Sequence, residues 1–452
     1  MTVAHEEVAT EHALPERVSD ARKQSDALFK VVRADALYER PIPERHRFIF
    51  YVGHVEAFDW NLLREVLGLK SFHAEFDRLF AFGIDPVGGG LPSDLPSDLA
   101  SDWPSVDAVQ DYVGRVRSAL DETLAGGGLE AGLETRDGFS LETLLNVAIE
   151  HRLMHLETLA YMLHQLPYDK KVPPESSAAT AALPADQLAV THRMIHIPAG
   201  MTTLGLARGS ESFGWDNEYE AHQKLVAAFE IDQFMVTNRQ YLDFMAGGGY
   251  ETRALWSDSD WDWKSGNGVS HPVFWRKTDD GWRLRAMFEE IALPLDWPVY
   301  VSHAEAMAYA RWAGKGLPTE EEWQRAAYGT GDGNETPYPW GTEPPSFRFG
   351  NFDFCGWDPQ PVNAFPPSRS PFGVEGLLGN GWEWTSTVFA AFSGFEPFPF
   401  YRGYSADFFD GKHFVMKGGS MRTAACMLRP SFRNWFQGRY QYVYAGFRCV
   451  NR

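Results

Sequence analysis

The 452-residue chain predicts two domains of different class, an all-helical four-helix bundle followed by an irregular α+β domain. Three observations carry this expectation. Apolar residues recur at spacings of three and four through residues 14–36, 45–67, 106–125 and 140–165, the period of a one-sided helix. Most of the 16 Trp lie after residue 210, in a Gly- and Pro-rich stretch with only short apolar runs. Between these regions, residues 166–190 turn to Pro, Ser, Ala and Lys, a linker composition.

Taken in order, residues 1–13 are expected to be a flexible tail and residues 14–165 the bundle. The connection from Gly83 to Pro104, with the near-repeat Leu91-Pro92-Ser93-Asp94-Leu95-Pro96-Ser97-Asp98, is the one long crossover. Residues 191–452 form the second domain, where only three helices are expected. One spans residues 237–246 behind Thr237, a second residues 303–313, and a third opens at Thr319, which forms a capping box with Glu322. So little regular structure among so many aromatic rings implies a domain held by aromatic packing.

Charge and cysteine usage narrow the function. With 41 basic and 61 acidic residues the net charge is −20, which argues against nucleic-acid or anionic-membrane partners. No apolar run reaches the ~20 residues of a membrane span, and the first twenty residues lack the apolar stretch of a signal peptide. Cys355, Cys426 and Cys449 are too few and too scattered for a disulfide framework, which fits a cytoplasmic location.

Among the 14 His, position selects three. The inward stripe of the fourth helix runs through Leu141, Ala148, His151, His155, Leu159 and Met162. His151 and His155 stand ~40° apart on that face, as two ligands of one metal do. Glu157 points ~200° away from His155 and is not expected to join them. His54 lies on the second helix in a stripe with Tyr51, Val55, Phe58 and Leu62, with Glu56 and Asp59 off that face. Three imidazoles leave positions open, as catalytic sites require, and suit Zn, Cu, Fe or Ni.

The segment His151-Arg152-Leu153-Met154-His155-Leu156-Glu157 resembles the HxxxHxE signature of DinB-like iron enzymes. The second domain resembles the formylglycine-generating-enzyme (C-type-lectin-like) fold in Leu317-Pro318-Thr319-Glu320-Glu321-Glu322-Trp323, Gly379-Asn380-Gly381-Trp382-Glu383-Trp384-Thr385, Lys417-Gly418-Gly419-Ser420 and Ala445-Gly446-Phe447-Arg448. Together with Phe213-Gly214-Trp215-Asp216-Asn217-Glu218 and Phe432-Arg433-Asn434-Trp435, the two halves look like the EgtB-type sulfoxide synthases of ergothioneine biosynthesis. The resemblance implies Fe(II) held by His54, His151 and His155. It further implies small-molecule substrates (hercynine, a thiol and O2) and coupling of the thiol to the imidazole C2 of hercynine as a sulfoxide. Tyr404, which precedes Ser405 as in the family's Tyr-Ser pattern, is the implied proton donor, with Tyr401 as second candidate. Asn434 and Trp435 match a segment that in relatives contacts the carboxylate side of hercynine.

Three departures from the family stand out. Phe436 replaces the Asp that recognises γ-glutamylcysteine, residues 83–104 lack the paired arginines that serve the same donor, and Met154 replaces a Gln that contacts the trimethylammonium group. A second carboxylate on the donor would then be desolvated and unpaired, so cysteine is the expected thiol. Sibling chemistries stay open: an ovothiol-type enzyme acting on histidine C5, suggested by Met287-Phe288-Glu289-Glu290-Ile291, or a selenium–carbon synthase acting on hercynine. So does a non-catalytic binding module. A formylglycine-generating oxidase needs two close cysteines, and only Cys426 lies near the expected place.

Overall fold

A computed structural model describes residues 14–81, 99–125, 136–174, 190–210 and 212–452. The expected N-terminal tail, most of the crossover and most of the linker lie outside the described residues. The chain divides into two compact units, one of Met1–Leu159 with Asp169–Val172 and the other of Ala160–Tyr168 with Pro173–Arg452.

The first unit is helical, with α1 (Leu14–Phe29), α2 (Phe48–Leu63), a short α3 (Ala74–Leu79), α4 (Val106–Ala125) and α5 (Leu141–Gln165), whose last turns group with the second unit. Helix α4 buries Val109, Tyr112, Val116, Leu120 and Leu124, a single stripe at helical spacing. Helix α2 is buried all round and packs on α4. Helix α1 stops at Phe29, short of the expected residue 36. The β-branched pair Val31-Val32 leaves the helix because Val32 forms a bridge with Lys171, and the Val31 carbonyl accepts from the Val172 amide at 2.8 Å. The short α3 was not anticipated.

A centrally buried helix cannot carry carboxylates unpaired, yet α2 carries Glu56 and Asp59. Arg152 of α5, 1% exposed, reaches both, at 2.8 Å to Glu56 and 2.6 Å to Asp59. Arg117 of α4 bridges Glu56 (2.6 Å) and Asp26 of α1 (2.8 Å). Burial pushes the Glu56 carboxyl up, but the guanidinium groups of Arg152, Arg117 and Arg22 outweigh it and hold the group at about 2. One ionic network thus spans α1, α2, α4 and α5, on the side of α2 away from His54.

The second unit is the α+β domain. Its strands are β1 (Met194–Ile197), β2 (Gly200–Leu204), β3 (His222–Val226), β4 (Phe229–Asp232), β5 (Trp275–Thr278), β6 (Gly281–Arg285), β7 (Glu290–Ala292), β8 (Gly381–Val388), β9 (His413–Gly419), β10 (Asn434–Gln437), β11 (Ala445–Gly446) and β12 (Val450–Asn451). They form four small sheets, in orders β1-β4-β12, β10-β9-β8-β11, β2-β3 and β5-β6-β7. Helices α6 (Asn238–Ala246), α8 (His303–Trp312) and α9 (Glu320–Tyr328) match expectation, each with a capping box, led by Thr237, Ser302 and Thr319. A further helix, α7 (Asp258–Gly266), was not expected, and it buries no residue.

The motifs that carried the resemblance meet in the core of this unit. Glu383 and Arg448 form a fully buried pair at 2.6 Å, and the Trp323 indole donates to Glu383 at 2.8 Å. Glu320 takes two bonds from Arg433, at 2.8 and 3.1 Å. Ser405 donates to Asp216 at 2.6 Å, and Ser431 donates to Glu218 at the same distance.

Candidate metal centre

His54 of α2 and His151 and His155 of α5 converge within the first unit. Their ligand atoms all lie within 4.8 Å of one another, the group of this kind found among the described residues. The Nε2 of His155 lies 3.1 Å from the Nε2 of His54 and 3.1 Å from that of His151. With a metal–nitrogen bond of about 2.1 Å, two ligands at a right angle stand about 3.0 Å apart, and at the tetrahedral angle about 3.4 Å. The observed spacing therefore fits three nitrogens on neighbouring positions of one ion.

Surroundings fix the rings. The Nδ1 of His54 lies 2.6 Å from the Phe80 carbonyl, which only accepts, so Nδ1 carries the proton and Nε2 keeps its lone pair for the metal. Phe80 follows directly on α3, so this unanticipated short helix supplies the orienting group. Phe50 stacks on His54 at 5.0 Å and 15°, and Phe58 on His151 at 3.4 Å and 11°. Tyr51 lies against His155, with ring centroids 5.7 Å apart.

Burial lowers all three imidazoles, His54 to about 4 and the other two well below the ordinary histidine range, and the nearby Arg152 adds to the effect. They are neutral at pH 7, the protonation state a metal needs. His54 and His151 are buried and His155 is partly exposed, which leaves one side of the group accessible.

The remaining candidates fall into separate groups. Met154, half-buried, sits beside His155 on α5 in the first unit. The others belong to the second unit. Tyr404 is buried, stacks on Trp215 at 4.1 Å, meets Trp435 edge-on at 5.3 Å and lies 5.5 Å from Tyr401. Asn434 and Trp435 share β10, where the Asn434 side-chain oxygen accepts from the Trp435 amide at 2.8 Å. Phe436 stacks on Tyr440 at 5.1 Å, with Tyr161 at 6.4 Å. Sequence reasoning missed the Phe80 carbonyl, the Phe50 ring, the stacking of Phe58 on His151, and the Arg152 network. A backbone acceptor leaves no residue-type signal, although Gly53 beside His54 hints at a close approach.

Comparison with known proteins completes the description. Residues 17–159 match the DinB superfamily, and residues 180–452 match the sulfatase-modifying factor enzyme 1-like domain. The hercynine oxygenase of Mycobacterium tuberculosis is 37% identical over 344 residues, 75% of this chain and 77% of that protein. The chain belongs to the hercynine oxygenase family. Ergothioneine biosynthesis protein 1 of Neurospora crassa is 30% identical over 497 residues, which take in 92% of this chain and 55% of the fungal protein. The formylglycine-generating enzyme of Mycobacterium tuberculosis, 29% identical, matches 57% of this chain and 97% of its own. Among solved structures, PvdO from Pseudomonas aeruginosa is 20% identical over 57% of this chain and 93% of its own, with a TM-score of 0.38. As a member of this family the chain is an oxidative enzyme. Among the described residues, no helix is long and apolar enough to cross a membrane.

Proposed function

We propose that this enzyme is a non-heme Fe(II)- and O2-dependent sulfoxide synthase that joins a thiol to the imidazole C2 of hercynine in ergothioneine biosynthesis. The observation that carries the reading is the convergence of three neutral imidazoles, with the His155 Nε2 3.1 Å from that of each of the other two, in a chain 37% identical to a hercynine oxygenase. His54, His151 and His155 would hold the iron. Bound Fe(II) supplies thiol deprotonation and a common centre for thiol, imidazole and O2.

The chain's own groups do the rest. The Phe80 carbonyl holds His54 in one tautomer, and the stacked rings of Phe50 and Phe58 orient His54 and His151. Tyr404, or Tyr401 beside it, donates the proton that steers the outcome toward carbon–sulfur bond formation, the phenol O–H being the donor. Asn434 and Trp435 contact hercynine, with Met154 beside the metal ligand where relatives carry Gln.

Cysteine is the favoured thiol. Phe436 packs among Tyr440 and Tyr161 and offers no polar contact, Arg439 is engaged with Asp260 at 2.9 Å, and residues 83–104 contain no Arg or Lys. Anaerobic Fe(II) loading followed by O2, with hercynine or histidine crossed against cysteine or γ-glutamylcysteine, tests the reading by mass spectrometry. The expected product is the C2 sulfoxide of hercynine and cysteine. A product built only on histidine C5 would move the enzyme to the ovothiol-type chemistry, and a clear preference for γ-glutamylcysteine would overturn the donor assignment.

A further inference from the structure

The residue ahead of α2 that the metal reading leaves unused is His46. It is 4% exposed, and among the described residues neither ring nitrogen has a hydrogen-bond partner. A buried polar group left so costs roughly 1–3 kcal/mol, and such groups in folded proteins call for an explanation. Packing alone would be served better by Phe, because three aromatic rings surround the site. Phe50 lies 4.2 Å from the His46 ring, Tyr51 6.3 Å and Trp103 6.5 Å.

Two of those rings touch the metal ligands. Phe50 stacks on His54 at 5.0 Å, and Tyr51 lies 5.7 Å from His155. His46 is therefore one ring removed from two of the three converging imidazoles. The surroundings are cationic as well. Arg45, itself 5% exposed, flanks His46 in sequence, and Arg40 donates to the Arg45 carbonyl at 2.7 Å. Burial first, then His54, Arg40 and Arg45, hold the imidazole at about 3, so it is neutral and presents one N–H donor in a positive field. A buried donor in such a field is matched to an anion.

We infer that His46 is a substrate-binding residue that donates a hydrogen bond to the carboxylate of an amino-acid substrate held beside the three-histidine site. This rests on the metal-centre reading above. The carboxylate belongs to hercynine or to the thiol amino acid, and decarboxylated analogues separate the two.

The test compares binding to the anaerobic Fe(II)-loaded enzyme by calorimetry, hercynine against N,N,N-trimethylhistamine and cysteine against cysteamine, in the wild type and His46→Ala. The variant should keep its iron and lose affinity for one carboxylate ligand by about tenfold to a hundredfold, the range of a charge-assisted hydrogen bond. Its affinity for the matching decarboxylated ligand should stay unchanged, and His46→Gln, which keeps a donor, should recover part of the loss. His46→Phe preserves the ring against Phe50 and reads out the same loss if the alanine variant does not fold. Equal losses for both members of a pair, or no loss for either, would overturn the inference. A wild-type protein that takes up no iron would overturn the metal reading beneath it instead.

Discussion

At position 53 a side chain has no room: a Cβ there would meet the Phe80 ring at 2.7 Å. The absence of that atom lets Phe80 lie against α2 and its carbonyl reach the next residue, His54, at 2.6 Å. Gly53→Ala should therefore push Phe80 away and release the His54 ring. We expect iron affinity to fall by about tenfold to a hundredfold, the usual cost of losing a group that orients a metal ligand, and stability to fall by about 1–3 kcal/mol from overpacking. Anaerobic iron titration with a parallel urea melt checks both, and unchanged iron affinity would show that the carbonyl does not orient the ligand. A second expectation concerns Tyr404, buried between Trp215 and Trp435. Tyr404→Phe removes one oxygen from a stacked ring, so iron content should hold while the product shifts from sulfoxide toward cysteine sulfinic acid. If neither this variant nor Tyr401→Phe alters the product ratio, the proton comes from another source. The three histidines were legible because helical spacing puts them on inward faces. What orients them was not, because a carbonyl brought in by a separate short helix has no signature in local spacing.

Helix α2 shows how an element is paired with its neighbours. Its burial on every side would be apolar throughout were it not for Glu56 and Asp59, and Arg152 answers both from α5. Removing that guanidinium leaves two carboxylates buried, so Arg152→Met should destabilise the first unit by about 3–5 kcal/mol. A triple variant that adds Glu56→Gln and Asp59→Asn should recover much of the loss, because it removes the uncompensated charge. Denaturant melts followed by circular dichroism would decide it, and a single variant as stable as wild type would show that the network carries no net stability. Sequence reading placed both acids off the His54 face but did not see their partner, since Arg152 sits inside the metal-ligand motif itself. It also passed over α7. That helix rests on the Ser257 cap, whose hydroxyl accepts from the Asp260 amide at 3.2 Å, and on no apolar stripe, so the periodic signal was absent. Where caps and periodicity agreed, as at Thr319 ahead of α9, the element was read correctly.

At the scale of the molecule, the buried neutral histidines make the metal-free fold acid-sensitive. His54 has a folded pKa of about 4, below its ordinary 6.5, because burial penalises its charged form. Its contribution is fully present above pH 6.5 and is lost as pH falls toward 4, about 3 kcal/mol in all. His46, at about 3, and His303, at about 4, act in the same direction. Metal-free protein should accordingly melt at lower temperature as pH drops from 7 to 4.5, and His54→Phe should make that dependence shallower; an equally steep profile in the variant would contradict the assignment. The two-class architecture was legible from helical periodicity in one half and clustered tryptophan in the other. The four small sheets were not, because their strands are short and the longest, β8, is buried at five consecutive positions rather than at alternate ones. The most direct test of the account is the iron content of anaerobically reconstituted protein. We expect about one Fe(II) per chain in the wild type and a marked loss in each of His54→Ala, His151→Ala and His155→Ala. Three variants that keep the wild-type iron content would contradict it.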